Sequence, residues 1–516
     1  MFRIGPVRRQ LLSPFSWGAE APRGLQDMRS STPSFTLELE LDLTRPGERF
    51  WEKRVHAAIS VYNDCLGQCV RRLHKLRHDR TYQALLRQYA EAKKAGCPVK
   101  DISAALAARR QYFGFTEYDM HAYVCSAKHH FGTLGIDECQ KLATRAFRAV
   151  EKMLYGKASR VRFVSRHEDF SIEGKSSRSA LVFRKDTRTV RFGKGHEFRI
   201  RYPRSAKAKA YADEALENRV KYCRVLCRTI RGRRRWFVQA VLEGVPPARH
   251  AAGPDRPVGL DEGVSTLAVS SGPCVRLFEL APEAEPEERE IRRIRRAMDR
   301  SRRSTNPDEY APDGTILKKK HHWAKSRRYR RLQGRLRETY RRLAALRRQS
   351  HERLANKVLS MGTDIRVEDM HIQALAKRAA SSHRNRHGRL TSKRRYGGTI
   401  AVRAPAMLIG ILDRKLHYIG LEAIRLDSRN LKASQYDHTA GTYAKKALSD
   451  RIVTVGGETV QRDLYSAFLL EHAAPDGRTI NRKQCITDFG TFAAACQAEI
   501  EAIRQSGSRH MQWYVT

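Results

Sequence analysis

The spacing of apolar residues switches period twice in the first half of the chain, and this restricts the fold more tightly than any other feature. SFTLELELDL (34–43) alternates apolar and acidic side chains, the period-two pattern of a half-exposed strand. From Glu48 to about Tyr155 the spacing becomes helical, with aromatics at Tyr82, Tyr89, Tyr112, Phe113, Phe115, Tyr118 and Tyr123. From Arg160 to Leu242 it returns to strands. FRIRY (198–202) alternates Phe, Ile and Tyr with arginines, and VLCRTIRGRRRWFVQAVL (225–242) reads as a hairpin turning near Gly232. A strand before the helices and more strands after them predict one β lobe split by a helical insert.

A Pro-rich linker, PPARHAAGPDRP (246–257), separates this lobe from a second pattern. VGLDEGVSTLAVSS (258–271) is an apolar strand, a tight turn and another strand. Residues 283–358 are helical and strongly basic: between Lys325 and Lys357 there are 13 Lys and Arg against Glu338 and Glu352 alone. Tyr329, Leu332, Leu336, Tyr340, Leu343 and Leu354 keep helical spacing there, giving an apolar stripe on an arginine-covered helix. DIRVEDM (364–370) is a short strand ending in acids. Residues 376–396 carry eight Lys or Arg and no acid, and read as a basic loop. APAMLIGILDRKLHYIG (404–420) predicts an amphipathic helix, LEAIRL (421–426) a strand, 428–462 an irregular segment and RDLYSAFLLEHA (462–473) a further helix.

The 516 residues include 100 Lys and Arg against 55 Asp and Glu, a formal charge of +45. Such an excess, in a chain that is 41% apolar, excludes an ordinary metabolic enzyme of balanced charge and points to a polyanion, nucleic acid first. No apolar run reaches the about 18 residues of a membrane span. Ten cysteines in a chain of this length do not make a disulfide framework and fit a reducing cytoplasm. Residues 1–33 lack the apolar core of a signal peptide and read as a flexible basic arm. Cys65, Cys69, His74 and His78 have spacing suggestive of zinc, but they share one predicted helix. At about 100° per residue the two cysteines are about 40° apart and the histidines lie on the opposite side, so one ion cannot take all four.

Three acids stand out by context. Asp261 ends the strand VGLD, Glu368 lies among Ile and Val in IRVED, and Asp463 opens the helix RDLYSAFLL. Two strands and a helix that bring acids to one point can hold two Mg²⁺ ions about 4 Å apart, which suits phosphodiester hydrolysis. Hard divalent cations take oxygen ligands, so Asp and Glu are the residue types expected.

GLDEGVSTLAVSSG, IRVEDM and VQRDLYSAFL resemble the first, second and third RuvC motifs of the TnpB-type transposon-encoded nucleases, relatives of the compact type V CRISPR effectors. The resemblance covers most of residues 34–475 and is specific around the three motifs. It implies an α/β multi-domain chain: a ribonuclease H-like (RuvC) nuclease domain preceded by a β-barrel-like wedge domain with a helical recognition insert. The boundaries expected are a wedge strand at 34–47, the helical insert at 48–157 and the wedge β domain at 158–247. RuvC pieces follow at 248–282, 359–427 and 463–516, interrupted by a basic helical insertion (283–358) and a nucleic-acid-binding insert (428–462).

Carried over residue by residue, Asp261, Glu368 and Asp463 match the family's metal-binding acids, with two Mg²⁺ implied. Lys325, Arg327, Arg328, Arg330, Arg331, Arg335, Lys393, Arg394, Arg395, Lys432, Lys445 and Lys446 are the expected nucleic-acid contacts. The partners implied are a guide RNA and double-stranded target DNA, and the implied setting is a prokaryotic cytoplasm. The chain departs from the family at its zinc ribbon: Asp437, Ala440, Val453 and Gly456 stand at the four cysteine positions, and Tyr465 stands where Asn is common. No zinc is expected. Tyr436, Leu448 and Ile452 are expected to pack this insert, with Lys445, Lys446 and Arg451 facing nucleic acid. The implied activity is RNA-guided, Mg²⁺-dependent DNA cleavage beside a short flanking motif. The alternative is a guided DNA-binding protein or repressor without efficient cleavage.

Overall fold

The computed structural model describes residues 33–127, 132–166, 168–177, 179–247, 253–317, 319, 321–370, 372–377, 381, 384, 396–447, 450–474 and 476–516. The expected arm at 1–33 falls, but for Pro33, outside them, as does most of the basic loop at 376–396, including Lys393, Arg394 and Arg395. The chain divides into two compact units, Met1–Pro247 and Ala248–Thr516.

In the first unit, strand β1 (Ser34–Leu41) precedes five helices: α1 (Arg45–His78), α2 (Arg80–Lys94), α3 (Lys100–Tyr112), α4 (Glu117–Ala127) and α5 (Ile136–Leu154). Then come β2 (Ser171–Glu173), β3 (Leu181–Arg184), β4 (Thr189–Phe192), β5 (His196–Arg201), α6 (Ala206–Glu217), β6 (Val220–Ile230) and β7 (Arg233–Glu243). The strands form one sheet in the order β2-β6-β7-β1-β5-β4-β3, so β1 is central and is paired on both sides by strands from beyond the helical insert. The sheet curls on itself: Cys223 Sγ of β6 donates to the Leu181 carbonyl of β3 at 3.8 Å.

The alternation of β1 puts Phe35, Leu37, Leu39 and Leu41 inside and Glu38 and Glu40 outside. Those acids meet the outer-face arginines of the neighbouring strands: Glu38 with Arg228 at 2.5–2.7 Å, Glu40 with Arg235 at 2.5–2.7 Å, and Arg201 with Asp42 at 2.7 Å. Much of the arginine signal in these strands is therefore cross-strand pairing. The β6–β7 hairpin turns where predicted, with Arg231 at φ 51° and Gly232 at φ 76°, the two left-handed residues of a type I′ turn. On α1, Cys65 and Cys69 are buried, while His74 and His78 stack on each other with ring centroids 4.1 Å apart. No shared metal site forms there.

The second unit is built on a five-stranded sheet. Strands β8 (Pro257–Glu262), β9 (Thr266–Ser271) and β10 (Cys274–Glu279) form an antiparallel meander, after which come helices α7 (Glu285–Thr305) and α8 (Arg327–Met361). Strand β11 (Asp364–Glu368) joins parallel to β8. After α9 (Ile372–Leu375), α10 (Gly397–Arg403) and α11 (Pro405–Tyr418), strand β12 (Ile424–Leu426) joins parallel to β11. The order is β10-β9-β8-β11-β12. The expected strand at 421–426 is shorter because the turn after α11, with Gly420 at φ 78°, takes up its first residues. The basic helical stretch expected at 283–358 holds the helices α7 and α8, and the chain between them contains Pro307 and Pro312, whose missing N–H groups do not suit a helix interior.

The last part comprises α12 (Ser428–Leu431), the small hairpins β13 (Tyr436–Asp437) with β14 (Thr442–Tyr443) and β15 (Ile452–Val455) with β16 (Glu458–Gln461), then α13 (Arg462–Glu471), α14 (Arg482–Gln505) and α15 (Arg509–Gln512). Two cores sandwich the sheet. Val258 and Leu260 of β8 and Ile365 and Val367 of β11 pack with Leu354 and Val358 of α8 and Leu408 and Leu412 of α11. On the other face α13 and α14 pack through Leu464, Phe468 and Phe492, and the hairpin segment adds Tyr436, Val455 and Val460 to this core, with Ile452 against it. Leu448 lies outside the described residues. No helix among the described residues is long and apolar enough to cross a membrane.

Candidate active site

Strand alternation aims the acids. Val258 and Leu260 enter the core beneath α8 and α11, so Gly259 and Asp261 face α13. On β11, Ile365 and Val367 enter that same core, so Arg366 and Glu368 face α13 as well. The parallel register sets Val367 opposite Leu260, so Glu368 and Asp261 are the next positions of two adjacent strands, at their carboxyl ends. The crevice outside the carboxyl ends of parallel strands is where open α/β sheets bind ligands.

Helix α13 brings the third acid. Its approach depends on Gly259, where an added Cβ would stand 1.9 Å from the Ala467 carbonyl oxygen. Two polar clamps fix the far end of the helix. Glu471 accepts from Ser270 Oγ and from the Gly272 N–H, both at 2.6 Å, and Arg366 Nη1 donates to the carbonyls of Glu471 and Ala473 at 2.7 and 2.8 Å. At the near end Gln461 caps the helix, its Oε1 accepting from the Leu464 N–H at 2.7 Å. Asp463 thus sits in the first turn.

The electrostatics show the other two carboxylates acting on Asp261. Burial first, then the negative charges of Asp463 and Glu368, hold the Asp261 carboxyl well above the usual carboxylate range, against the opposing pull of Arg462. Burial also raises Glu368. Glu262 alternates to the opposite face, where burial pushes its carboxyl up to about 7 and leaves Oε1 without a hydrogen bond.

Asp463 has partners that the sequence did not announce. Arg462 donates to Oδ1 through Nε and Nη2 at 3.2 and 3.1 Å, Gln461 Nε2 donates to Oδ2 at 3.3 Å, and Arg451 Nη1 lies 3.7 Å from Oδ2. The Arg451 guanidinium is held 4.2 Å over the Trp513 ring and 4.9 Å from that of Tyr514. Among the described residues no group of three or more His, Cys, Asp or Glu side chains is placed so that it could hold a metal ion. Donor chemistry still suits a hard cation, since the negative charges of Asp463 and Glu368 beside the buried Asp261 invite positive charge. Arg451 and Arg462 supply it here.

Arg451, expected to face nucleic acid, instead turns inward to Asp463, because Trp513 offers it a ring face. Lys446 also departs from expectation. Its Nζ lies 5.0 Å over the Tyr465 ring without a hydrogen bond, and burial lowers its pKa. Arg335 pairs with Glu290 of α7. Lys325, Arg327, Arg328, Arg330 and Arg331 stand exposed at and before the start of α8, and Lys432 and Lys445 are exposed beside the small hairpins.

The two hairpins still meet as halves of a ribbon would: a Cβ on Gly456 would lie 2.9 Å from Thr439 Cγ2. Side-chain bonds hold the first hairpin. Asp437 Oδ1 accepts from the Thr439 N–H at 2.9 Å, and Arg482 donates to the carbonyls of His438 and Thr439 at 2.7 and 2.6 Å. The fully buried His438 donates its N–H to the Tyr465 hydroxyl at 3.1 Å, and its Nδ1 pairs with the same hydroxyl at 2.8 Å. Tyr465 lies two residues from Asp463, so it ties the hairpin to the helix that carries the third acid. Tyr465→Phe leaves two buried polar groups unpaired and is expected to cost about 1–3 kcal/mol, read as a lower urea midpoint at unchanged slope. An unchanged midpoint would show that this clasp contributes nothing.

No protein-family model and no curated protein matches the sequence. By structure the chain is similar to compact type V CRISPR effectors. A cryo-EM structure of a Cas12f1–sgRNA–target DNA complex is similar over 86% of this chain and 99% of its own, at 10% identity and a TM-score of 0.46. A cryo-EM structure of a CRISPR–Cas12f ternary complex is similar over 83% of this chain and 82% of its own, at 12% identity and a TM-score of 0.25.

Proposed function

We propose that this chain is an RNA-guided, Mg²⁺-dependent DNA endonuclease. The observation that carries the reading is the convergence of Asp261 and Glu368, at the carboxyl ends of adjacent parallel strands, with Asp463 in the first turn of the helix across them. A three-strand meander extended by two parallel strands is the sheet order of a ribonuclease H-like (RuvC) nuclease, which supports assigning 248–282, 359–427 and 463–516 to that domain. The curled sheet with a helical insert after its first strand supports the wedge assignment for 34–47 and 158–247, with recognition helices at 48–157.

Asp261, Glu368 and Asp463 would hold two Mg²⁺ ions, which supply an activated water and stabilise the leaving oxygen in phosphodiester hydrolysis. Before that, Arg451 and Arg462 shield Asp463. The exposed cations at the start of α8 and beside the small hairpins attract phosphate backbone, and pairing with a guide reads the sequence. The insert at 428–462 works without zinc, since Asp437, Ala440, Val453 and Gly456 offer no thiolate.

The engagement of Asp463 by two arginines favours a second reading, a guided DNA-binding protein without efficient cleavage. One experiment addresses both. The RNA that copurifies with the chain is identified and its guide segment replaced, and binding and cutting are measured on DNA matching the new segment. The expected result is that both follow the new guide and require a short fixed motif beside the target, and that binding falls about 10³- to 10⁵-fold between about 50 and 200 mM salt. Binding that follows the guide without cutting would establish the second reading. Cutting that ignores the guide would overturn the first.

A further inference from the structure

A cleft of about 430 Å³ lies within the first unit, far in sequence from the acids. This is within the range of about 300–1,000 Å³ typical of small-ligand sites. Its walls are Tyr62 of α1, Arg145, Arg148 and Lys152 of α5, and Val164 and Phe170 of the segment leading to β2. The three cations fall at i, i+3 and i+7, one face of a helix. Among the described residues no carboxylate lines the cleft.

Its parts are held in place. Arg145 donates to the Ser171 carbonyl at 2.8 Å, and its guanidinium lies 4.3 Å over the Phe170 ring and 5.9 Å from that of Tyr62. The Val164 segment is clamped at both backbone atoms by Asn63, whose Nδ2 donates to the carbonyl at 2.8 Å and whose Oδ1 accepts from the N–H at 2.9 Å. Arg148 and Lys152 are exposed at the mouth, with Arg148 loosely paired to Glu117 at 3.6 Å. Beside Val164, Phe163 rests against Gly67 with 54% of its surface in water. In the sequence this ring is flanked by Arg160, Arg162 and Arg166, of which Arg162 pairs with Glu168.

Fixed aromatic and guanidinium faces inside, exposed cations at the mouth and an exposed ring at the rim are the requirements for an unstacked base and its phosphate. We infer that this cleft binds one unpaired nucleotide of a nucleic-acid strand, its base against Tyr62 and Arg145, its phosphate at Arg148 and Lys152, and the neighbouring base on Phe163. The inference goes beyond the nuclease reading and stands without it, because its readout is binding.

The test uses the full chain freed of copurified nucleic acid and mixed with single-stranded oligouridylate or oligodeoxythymidylate of equal length. Ultraviolet crosslinking followed by peptide mass mapping should place nucleotide adducts on peptides containing Tyr62 or Phe163. Phe163→Ala should weaken binding about 5- to 150-fold, the loss of one stacked base. Arg148→Ala with Lys152→Ala should lower the slope of log affinity against log salt by about 1.4, the share of two contacts on a single strand. Adducts with the ribose probe alone assign the site to RNA, adducts with the deoxy probe alone assign it to DNA, and adducts with both show a site indifferent to the sugar. Adducts confined to other peptides, with binding and salt slope unchanged in variants that melt like the parent, would overturn the inference.

Discussion

Asp261→Ala, Glu368→Gln and Asp463→Ala are each expected to slow Mg²⁺-dependent DNA cleavage about 10³-fold, equivalent to about 4 kcal/mol of barrier. The size follows from the geometry. Each acid comes from a different element. Glu262 is next in sequence to Asp261, but it alternates to the opposite side of the sheet. Stability should move little or rise for Asp261→Ala, because burial and the charges of Asp463 and Glu368 already disfavour its charged form, whereas Asp463→Ala also leaves Arg451 and Arg462 without their carboxylate. The check is single-turnover cleavage of a matched DNA alongside thermal melting. A variant that cuts at the parent rate removes that residue from the site. A variant that loses cutting only because it unfolds shows a structural role instead.

How much of this could be read from the sequence depended on the range of the interactions involved. The split β lobe was legible because alternation in 34–43 and 225–242 is a local property, and so was the hairpin at Gly232. The three acids stood out as candidates because an Asp or Glu inside an apolar strand or at a helix start is conspicuous without its partners. The arginines were the opposite case. Arg228 and Arg235 look like free basic surface until the register places Glu38 and Glu40 beside them. Arg335 looks the same until α7 supplies Glu290. Arg451 needs Asp463, Trp513 and Tyr514, all brought from elsewhere in the chain by folding. Charge in a sequence shows the total, and only tertiary pairing shows what remains to meet a polyanion. The clasp of Tyr465 on His438 was hidden for the same reason, although both residues lie in stretches where the sequence departs from the TnpB-type pattern it resembles.

Gly259→Ala is expected to lose both cleavage and the stability of the second unit. The position needs no special backbone conformation; it needs the absence of a side chain. A Cβ there would stand 1.9 Å from the Ala467 carbonyl oxygen and 2.4 Å from the Glu471 amide nitrogen, both main-chain atoms of α13 that no rotamer change can move. The helix must slide away from β8, and every residue from Leu464 to Glu471 on it is buried. Overpacking of side chains costs about 1–3 kcal/mol, and a clash with backbone belongs at or above the upper end. For a domain of this size about 3 kcal/mol corresponds to a fall of about 6–12 °C in Tm. Sliding α13 also carries Asp463 away from Asp261 and Glu368, so cleavage should fail even below the melting transition, whereas the acid variants keep their fold. Gly410→Ala is the control: this glycine lies within α11 with nothing near its missing Cβ, and alanine there should be neutral or mildly stabilising. If Gly259→Ala melts with the parent and Gly410→Ala does the same, α13 does not cross β8 at Gly259, and Asp463 is not delivered to the other two acids in the way described.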